Sequence, residues 1–150
     1  MSQSLVIENS IDINAPASRV WQILTNPQET KKYMFGCEAI SEWKVGRPLE
    51  WKGNFGGKEV VAVKGEILDI LKEKFLSYTT FDPNGSIPDI PENYLKVTYT
   101  LNESRGHTKL KVTQGDYSRV QDGQKRYEDS TSGGGWMSIL TEVKRIAEQS

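Results

Sequence analysis

The sequence predicts an α+β fold in which a curved antiparallel sheet of about seven strands wraps around a long C-terminal helix. Three observations lead to this prediction. The central part of the 150-residue chain repeatedly alternates apolar and polar residues, no long helical pattern interrupts it, and an amphipathic helical pattern ends the chain. A sheet with one apolar face must be covered, and only the C-terminal helix is long enough to cover it.

A strand and two short helices open the chain. Residues 5–13 alternate apolar and polar side chains, which is typical of a half-buried strand. Residues 17–25 carry apolar side chains at helical spacing. A second short helix begins after Asn26, whose side chain suits an N-cap, with Pro27 in the first helical position. We expect this helix to end at Gly36.

Six further strands follow in an unbroken series. Gly56 and Gly57 predict a tight hairpin before a long strand over 58–71. The segment 82–93 contains three of the six prolines and predicts an irregular exposed loop. After this loop, the sequence NESRG connects the last two strands. Because no helix intervenes, the series predicts an antiparallel meander.

The last helix is predicted over 136–149, and three glycines at 133–135 precede it. Glycine is a poor helix former, so these residues need an explanation. One explanation is an anion site at the helix N-terminus, but the lysine followed by serine or threonine of a phosphate-binding loop is missing. The favoured explanation is packing, because a helix start without Cβ atoms approaches another backbone closely while Trp136 enters the interior. The preceding segment 117–132 is predicted to be a polar connection.

The composition indicates one globular domain spanning residues 1–150 and excludes two classes of partner. Hydrophobic residues make up 36% and charged residues 26%, as in soluble domains, and a net charge of −1 offers no basic surface for nucleic acid. No apolar run is long enough to span a membrane. Because the N-terminus lacks a signal-peptide pattern and Cys37 is the only cysteine, we expect a cytoplasmic location.

Residues suited to catalysis or metal binding are scarce. His107 is the only histidine, and it falls in a predicted turn, where a solvated side chain is expected. With one histidine and one cysteine, the usual structural zinc site cannot form. Acidic residues near strand ends are the remaining candidates for a catalytic pair, and we expect them to face solvent: Glu50, Glu66, Asp69 and Asp116. We therefore predict no catalytic residue, no metal and no cofactor, and an enzyme is the less favoured interpretation.

Six segments form a recognisable pattern through their order and spacing. They are INAPASRVWQILTNPQ (13–28), VGRPLEW (45–51), KGEILDI (64–70), FLSYTTF (75–81), GHTKLKVTQ (106–114) and GGW with its helix (134–140). Together they resemble the bacterial family named after the activator of heat-shock-protein-90 ATPase, within the START and birch-pollen-allergen superfamily. This resemblance implies a helix-grip fold over essentially the whole chain. The sequence departs from the family pattern in two places. Tyr33, Met34 and Phe35 stand where a tryptophan is common, and Gln114 stands where a histidine is frequent.

The resemblance also implies a function. In this superfamily a cavity between sheet and long helix holds lipids, sterols, polyketides or other apolar molecules, so we predict a small hydrophobic ligand as the main partner. The candidate ligand-binding residues are Trp21, Trp51, Tyr78, Tyr99, Gln114, Trp136 and Leu140. Two alternatives stay open: a protein-interaction module like the chaperone ATPase activators, and an enzyme acting on a hydrophobic substrate. The sequence specifies no oligomeric state.

Overall fold

The computed structural model describes residues 5–149, and within them the chain forms seven strands, four α-helices and two short 3₁₀ turns. The strands are β1 (Ile7–Ile13), β2 (Glu38–Ser41), β3 (Pro48–Phe55), β4 (Lys58–Leu71), β5 (Phe75–Thr80), β6 (Leu95–Ser104) and β7 (His107–Gly115). The helices are α1 (Ala17–Thr25), α2 (Pro27–Tyr33), α3 (Gly123–Ser132) and α4 (Met137–Glu148). The 3₁₀ turns are Pro91–Asn93 and Tyr117–Arg119. The predicted α+β helix-grip fold is confirmed.

All seven strands form one antiparallel sheet in the order β1-β7-β6-β5-β4-β3-β2. Strands β2 to β7 follow one another as the predicted meander, and β1 pairs with β7, where Ile11 lies opposite Leu110. The long strand β4 has the predicted bounds. The hairpin before it turns at Gly56 and Gly57, whose φ angles of 60° and 83° are strained for residues with a Cβ atom.

The apolar faces of α1 and α4 complete the core. Val20 and Ile23 of α1 are buried, and so are Leu140 and Val143 of α4. This agrees with the helical spacing of apolar residues in both segments, since such spacing places them on one face. No helix within residues 5–149 has the length and apolar character needed to cross a membrane.

One helix is absent from the sequence-based prediction. The prediction of a polar connection over 117–132 is wrong, because α3 occupies Gly123–Ser132. Only Gly123 of this helix is buried, so the segment has no apolar stripe from which a helix could be inferred. The last helix is one residue shorter at each end than predicted, because Trp136 and Gln149 are its cap residues.

The glycines at 133–135 connect α3 to α4 and bring the start of α4 against β1. Their backbone N–H groups donate to carbonyls of α3, and the N–H of Trp136 donates to Oδ1 of Asn9 at 3.0 Å. The N–H groups of the three glycines are therefore bonded within the protein and are not free to bind an anion. A Cβ on Gly135 would lie 2.6 Å from Asn9 Oδ1 and 3.0 Å from Ile7 Cγ2, at a φ of +60°. The packing explanation therefore holds for Gly135, whereas a Cβ on Gly133 would lie 3.6 Å from the nearest atom and one on Gly134 would have no atom within 4 Å.

We expect Thr30→Val to lower the free energy of unfolding by about 2 kcal/mol. Thr30 of α2 is buried, and its hydroxyl accepts from the N–H of Ala39 at 2.9 Å and donates towards the carbonyl of Cys37 at 3.2 Å. Valine has the same shape but no hydroxyl, so the N–H of Ala39 and the carbonyl of Cys37 both lose their hydrogen bond to this side chain. Urea unfolding measures the difference. Thr30→Ser keeps the hydroxyl and is the control, so a serine variant less stable than the valine variant would contradict this explanation.

Candidate functional site

A cavity of about 760 Å³ lies between the inner face of the sheet and the segments that cover it. Strands β3 to β7 supply its floor, α3 and the start of α4 form one wall, and the turn after α2 forms the other. Small-molecule pockets span roughly 300–1,000 Å³, so this volume suits one small ligand. Four lining residues are exposed to solvent and mark the mouth of the cavity: Phe35, Phe55, Asp129 and Ser138.

The loop 82–93 does not border the cavity, because none of its residues is among those that line it. Asn84 donates a side-chain hydrogen bond to the carbonyl of Val61 in β4 at 2.8 Å. Asp89 forms an ion pair with Lys64 and accepts a hydrogen bond from the hydroxyl of Tyr94 at 2.6 Å. These contacts hold the loop beside β4, and α3 covers the cavity instead.

A row of aromatic side chains connects three lining residues of the cavity with Tyr99 of the core. The rings of Trp51 and Tyr78 lie 6.3 Å apart, those of Tyr78 and Tyr99 5.5 Å apart, and those of Tyr99 and Trp136 5.9 Å apart. The hydroxyl groups of Tyr78 and Tyr99 share a hydrogen bond of 2.6 Å. Burial raises the pKa of both phenols, so both stay neutral at physiological pH and satisfy each other.

Gln114 lies on the cavity floor, and only part of its side-chain amide is hydrogen-bonded. The indole N–H of Trp136 lies 3.0 Å from Oε1 of Gln114. An indole N–H can only donate, so the contacted atom of Gln114 is the oxygen, and the amide NH₂ points elsewhere. Within residues 5–149 this NH₂ forms no hydrogen bond, and Gln114 is half-buried in the cavity lining. Two N–H donors of this lining residue are therefore without a partner among the described residues.

The wall supplied by α3 carries the only charged side chains among the described residues that line the cavity, Arg126 and Asp129. The guanidinium carbon of Arg126 lies 6.0 Å from the ring centre of Tyr117, which is buried below it. Burial raises the pKa of Tyr117, whereas Arg126 and a hydrogen bond with Ser130 lower it. One rim of the site thus combines a cation with two hydroxyl groups.

The structure brings four of the seven candidate residues into the cavity lining: Trp51, Tyr78, Gln114 and Trp136. The other three, Trp21, Tyr99 and Leu140, are buried in the core and do not line it. Three lining residues of α3 were not among the residues predicted from the sequence: Arg126, Asp129 and Ser130. The one signal that could have indicated this helix is the spacing of Gln124 and Glu128, whose side chains hydrogen-bond at 2.8 Å one helical turn apart.

The acidic candidates lie away from the cavity, since none of Glu50, Glu66, Asp69 and Asp116 lines it. The carboxylate of Asp116 accepts hydrogen bonds from Ser118 and from the N–H of Leu5, and these bonds lower its pKa. His107 is exposed at the start of β7. Within residues 5–149, no three His, Cys, Asp or Glu side chains lie close enough together to hold a metal ion.

The fold and the cavity define the class of this protein: it is a helix-grip protein with a cavity between its sheet and its C-terminal helices. The chain belongs to the family described as Activator of Hsp90 ATPase homolog 1-like protein, whose family model matches residues 14–148. The resemblance found in the sequence is thereby confirmed. Among curated proteins, none matches the chain.

Solved structures show the same fold. A protein of Cytophaga hutchinsonii, determined in solution, is 36% identical, with 99% of this chain and 97% of that chain aligned and a TM-score of 0.76. The Aha1 dimer of Colwellia psychrerythraea is 17% identical, with 95% and 96% aligned and a TM-score of 0.68. An Hsp90 activator of Plasmodium falciparum is 18% identical, with 85% and 88% aligned and a TM-score of 0.61. The last two similarities concern the fold alone.

Proposed function

We propose that the chain binds a small hydrophobic molecule in the cavity between the sheet, α3 and α4. The observation that carries this proposal is a cavity of about 760 Å³ whose floor is mainly aromatic and apolar and includes the unpaired amide NH₂ of Gln114. Ligand sites commonly combine an apolar lining with a few polar groups that fix orientation. A floor built only for stability would be filled with side chains, because protein interiors pack densely.

The size of the cavity sets the affinity that such binding can reach. A ligand that buries about 300 Å² of apolar surface gains about 7 kcal/mol from the hydrophobic effect. Loss of translational and rotational freedom offsets part of this gain. A hydrogen bond from Gln114 to a ligand oxygen adds about 1 kcal/mol and favours ligands that carry an acceptor. The gross gain of about 8 kcal/mol corresponds to about 1 μM, so after this offset we expect apolar molecules with one acceptor group to bind more weakly than about 1 μM.

Native mass spectrometry of freshly purified protein tests the proposal. We expect a stoichiometric extra mass that disappears on denaturation, or saturable binding of the neutral fluorescent probe N-phenyl-1-naphthylamine to the unliganded chain. Ile139→Trp places an indole in the cavity lining and should reduce probe binding at least tenfold. Met137→Trp, on the same helix but outside the lining, is the matched control.

Two outcomes would contradict the proposal. One is the absence of both an extra mass and saturable probe binding. The other is equal probe binding by Ile139→Trp and Met137→Trp, which would place the probe outside the cavity.

A protein-interaction module is the second candidate function, and one observation favours it. Phe35 is 79% exposed and Phe55 is 46% exposed. Both line the cavity mouth, so two phenylalanines at the mouth are open to solvent. Exposed apolar groups of this kind mark protein contacts when they form a patch. The family description names an Hsp90 ATPase activator, so ATP hydrolysis by a purified Hsp90 is the assay. Stimulation that Phe35→Asp abolishes would support this candidate, and unchanged ATP hydrolysis would count against it.

A further inference from the structure

We infer that the ligand is an amphipathic anion, an apolar body with a carboxylate at one end, and that Arg126 binds this carboxylate at the α3 rim. The inference rests on the proposed ligand binding and specifies the chemical class of the ligand. It depends on the charge of the rim, on the hydrogen-bonding groups of the lining and on the difference in exposure between Arg126 and Asp129.

Arg126 is half-buried as a residue and lines the cavity. No carboxylate within residues 5–149 forms an ion pair with it. Its described contacts are the Tyr117 ring and a long hydrogen bond of 3.4 Å to the carbonyl of Gln121. The side chain is therefore held at the rim while most of its five N–H donors remain available.

A ligand that fills the cavity up to the rim removes water from this guanidinium. Burying an unpaired charge is unfavourable, so a neutral ligand of full length binds against a desolvation penalty. A carboxylate at the same position replaces the lost water with charge-assisted hydrogen bonds, and the planar guanidinium matches two carboxylate oxygens. The rim therefore discriminates in favour of an anion.

The other polar groups of the lining also favour a ligand rich in acceptors. The free NH₂ of Gln114 is a donor only, like the guanidinium of Arg126. The hydroxyls of Tyr117 and Ser130 beside Arg126 can donate as well as accept. A ligand with acceptors at both its middle and its end satisfies these donors, whereas an ammonium ligand satisfies none of them.

Asp129 is the one lining group that opposes an anion. It lies one turn after Arg126 on α3, but it is exposed at the mouth, whereas Arg126 is half-buried. Water and salt screen an exposed charge more strongly than a half-buried one. The attraction to Arg126 therefore outweighs the repulsion from Asp129, and removal of Asp129 should strengthen anion binding.

Displacement of bound N-phenyl-1-naphthylamine by three ten-carbon chains tests the inference. Decanoate, 1-decanol and decylammonium share one apolar body and differ in the charge of the end group. We expect decanoate to displace the probe at the lowest concentration and decylammonium at the highest. Arg126→Gln should weaken binding of decanoate about tenfold, the size of one lost charge-assisted hydrogen bond, and should strengthen binding of decanol, because the desolvation penalty of the unpaired charge is removed. Asp129→Asn is the matched variant on the same helix and should strengthen the binding of decanoate about twofold.

The outcomes separate this inference from the proposed function. Absence of both an extra mass and probe binding in the unmutated chain overturns the proposed function. Normal probe binding with equal displacement by decanoate and decanol overturns the anion inference alone. Preferred displacement by decylammonium, lost in Asp129→Asn, would make Asp129 the partner of a cationic ligand and also overturn it.

Discussion

Trp136→Ala is expected to lower the free energy of unfolding by about 3 kcal/mol and to weaken binding of the neutral probe. The indole is only 8% exposed, packs edge-on against Tyr99 and donates its N–H to Gln114. Replacing a core tryptophan by alanine costs about 3–5 kcal/mol. We expect the lower end of this range, because one side of the ring already faces the cavity and makes fewer contacts there.

Chemical unfolding and probe titration of the same variant measure the two effects separately. Trp136→Phe is the control, because it keeps an aromatic ring beside Tyr99 while it loses the N–H donated to Gln114 and part of the indole volume. Its unfolding free energy should fall by about 1 kcal/mol. An alanine variant as stable as the phenylalanine variant would show that the indole does not contribute to the core.

Gly65→Ala should destabilise the fold by about 3 kcal/mol or more, although it adds a single methyl group. A Cβ on Gly65 of β4 would lie 1.7 Å from the carbonyl oxygen of Thr79 in β5. The neighbouring pair, Lys64 and Phe81, exchanges backbone hydrogen bonds of 2.8 and 2.9 Å, so the two chains are fixed close together at this point. The methyl group can fit only if β4 and β5 separate, and backbone cannot yield as a flexible side chain does.

Gly57→Ala distinguishes lack of space from loss of conformational freedom. Gly57 has a φ of +83° and no atom within 4 Å of its added Cβ, so alanine there costs only the strain of about 1 kcal/mol. Thermal or urea unfolding of both variants gives the comparison. The packing explanation is wrong if Gly65→Ala proves no less stable than Gly57→Ala.

The elements that the sequence predicted well are those where apolar pattern and turn chemistry agree. The bounds of β4 follow from an alternating pattern that starts directly after Gly56 and Gly57. The N-cap of α2 is Asn26, as predicted, and its side chain accepts from the N–H of Gln28. In both cases a local backbone requirement and a local side-chain preference select the same structure.

The cavity was predictable only in part, because an unfilled space is not a local property. Trp51 and Tyr78 line the cavity, as expected. Tyr99 on the next strand does not line it, although its ring contacts those of Tyr78 and Trp136. Alternation along a strand predicts which face a side chain occupies but not whether a neighbour covers it. The charged rim was missed for a different reason, since α3 presents almost no buried residue that could reveal it as a helix.

The pairing of β1 with β7 determines when during folding the cavity can form. Asn9 binds the backbone of Trp136 across 127 residues of sequence, and Lys144 binds the carbonyl of Asp12 across 132. Such distant contacts are slow to form, because a long segment of chain must be closed before they are gained. During synthesis β1 leaves the ribosome early and stays without its neighbour until β7 and α4 have followed. Gln114 and Trp136 reach the cavity at this last step, so the cavity lining is complete only when β7 and α4 have docked.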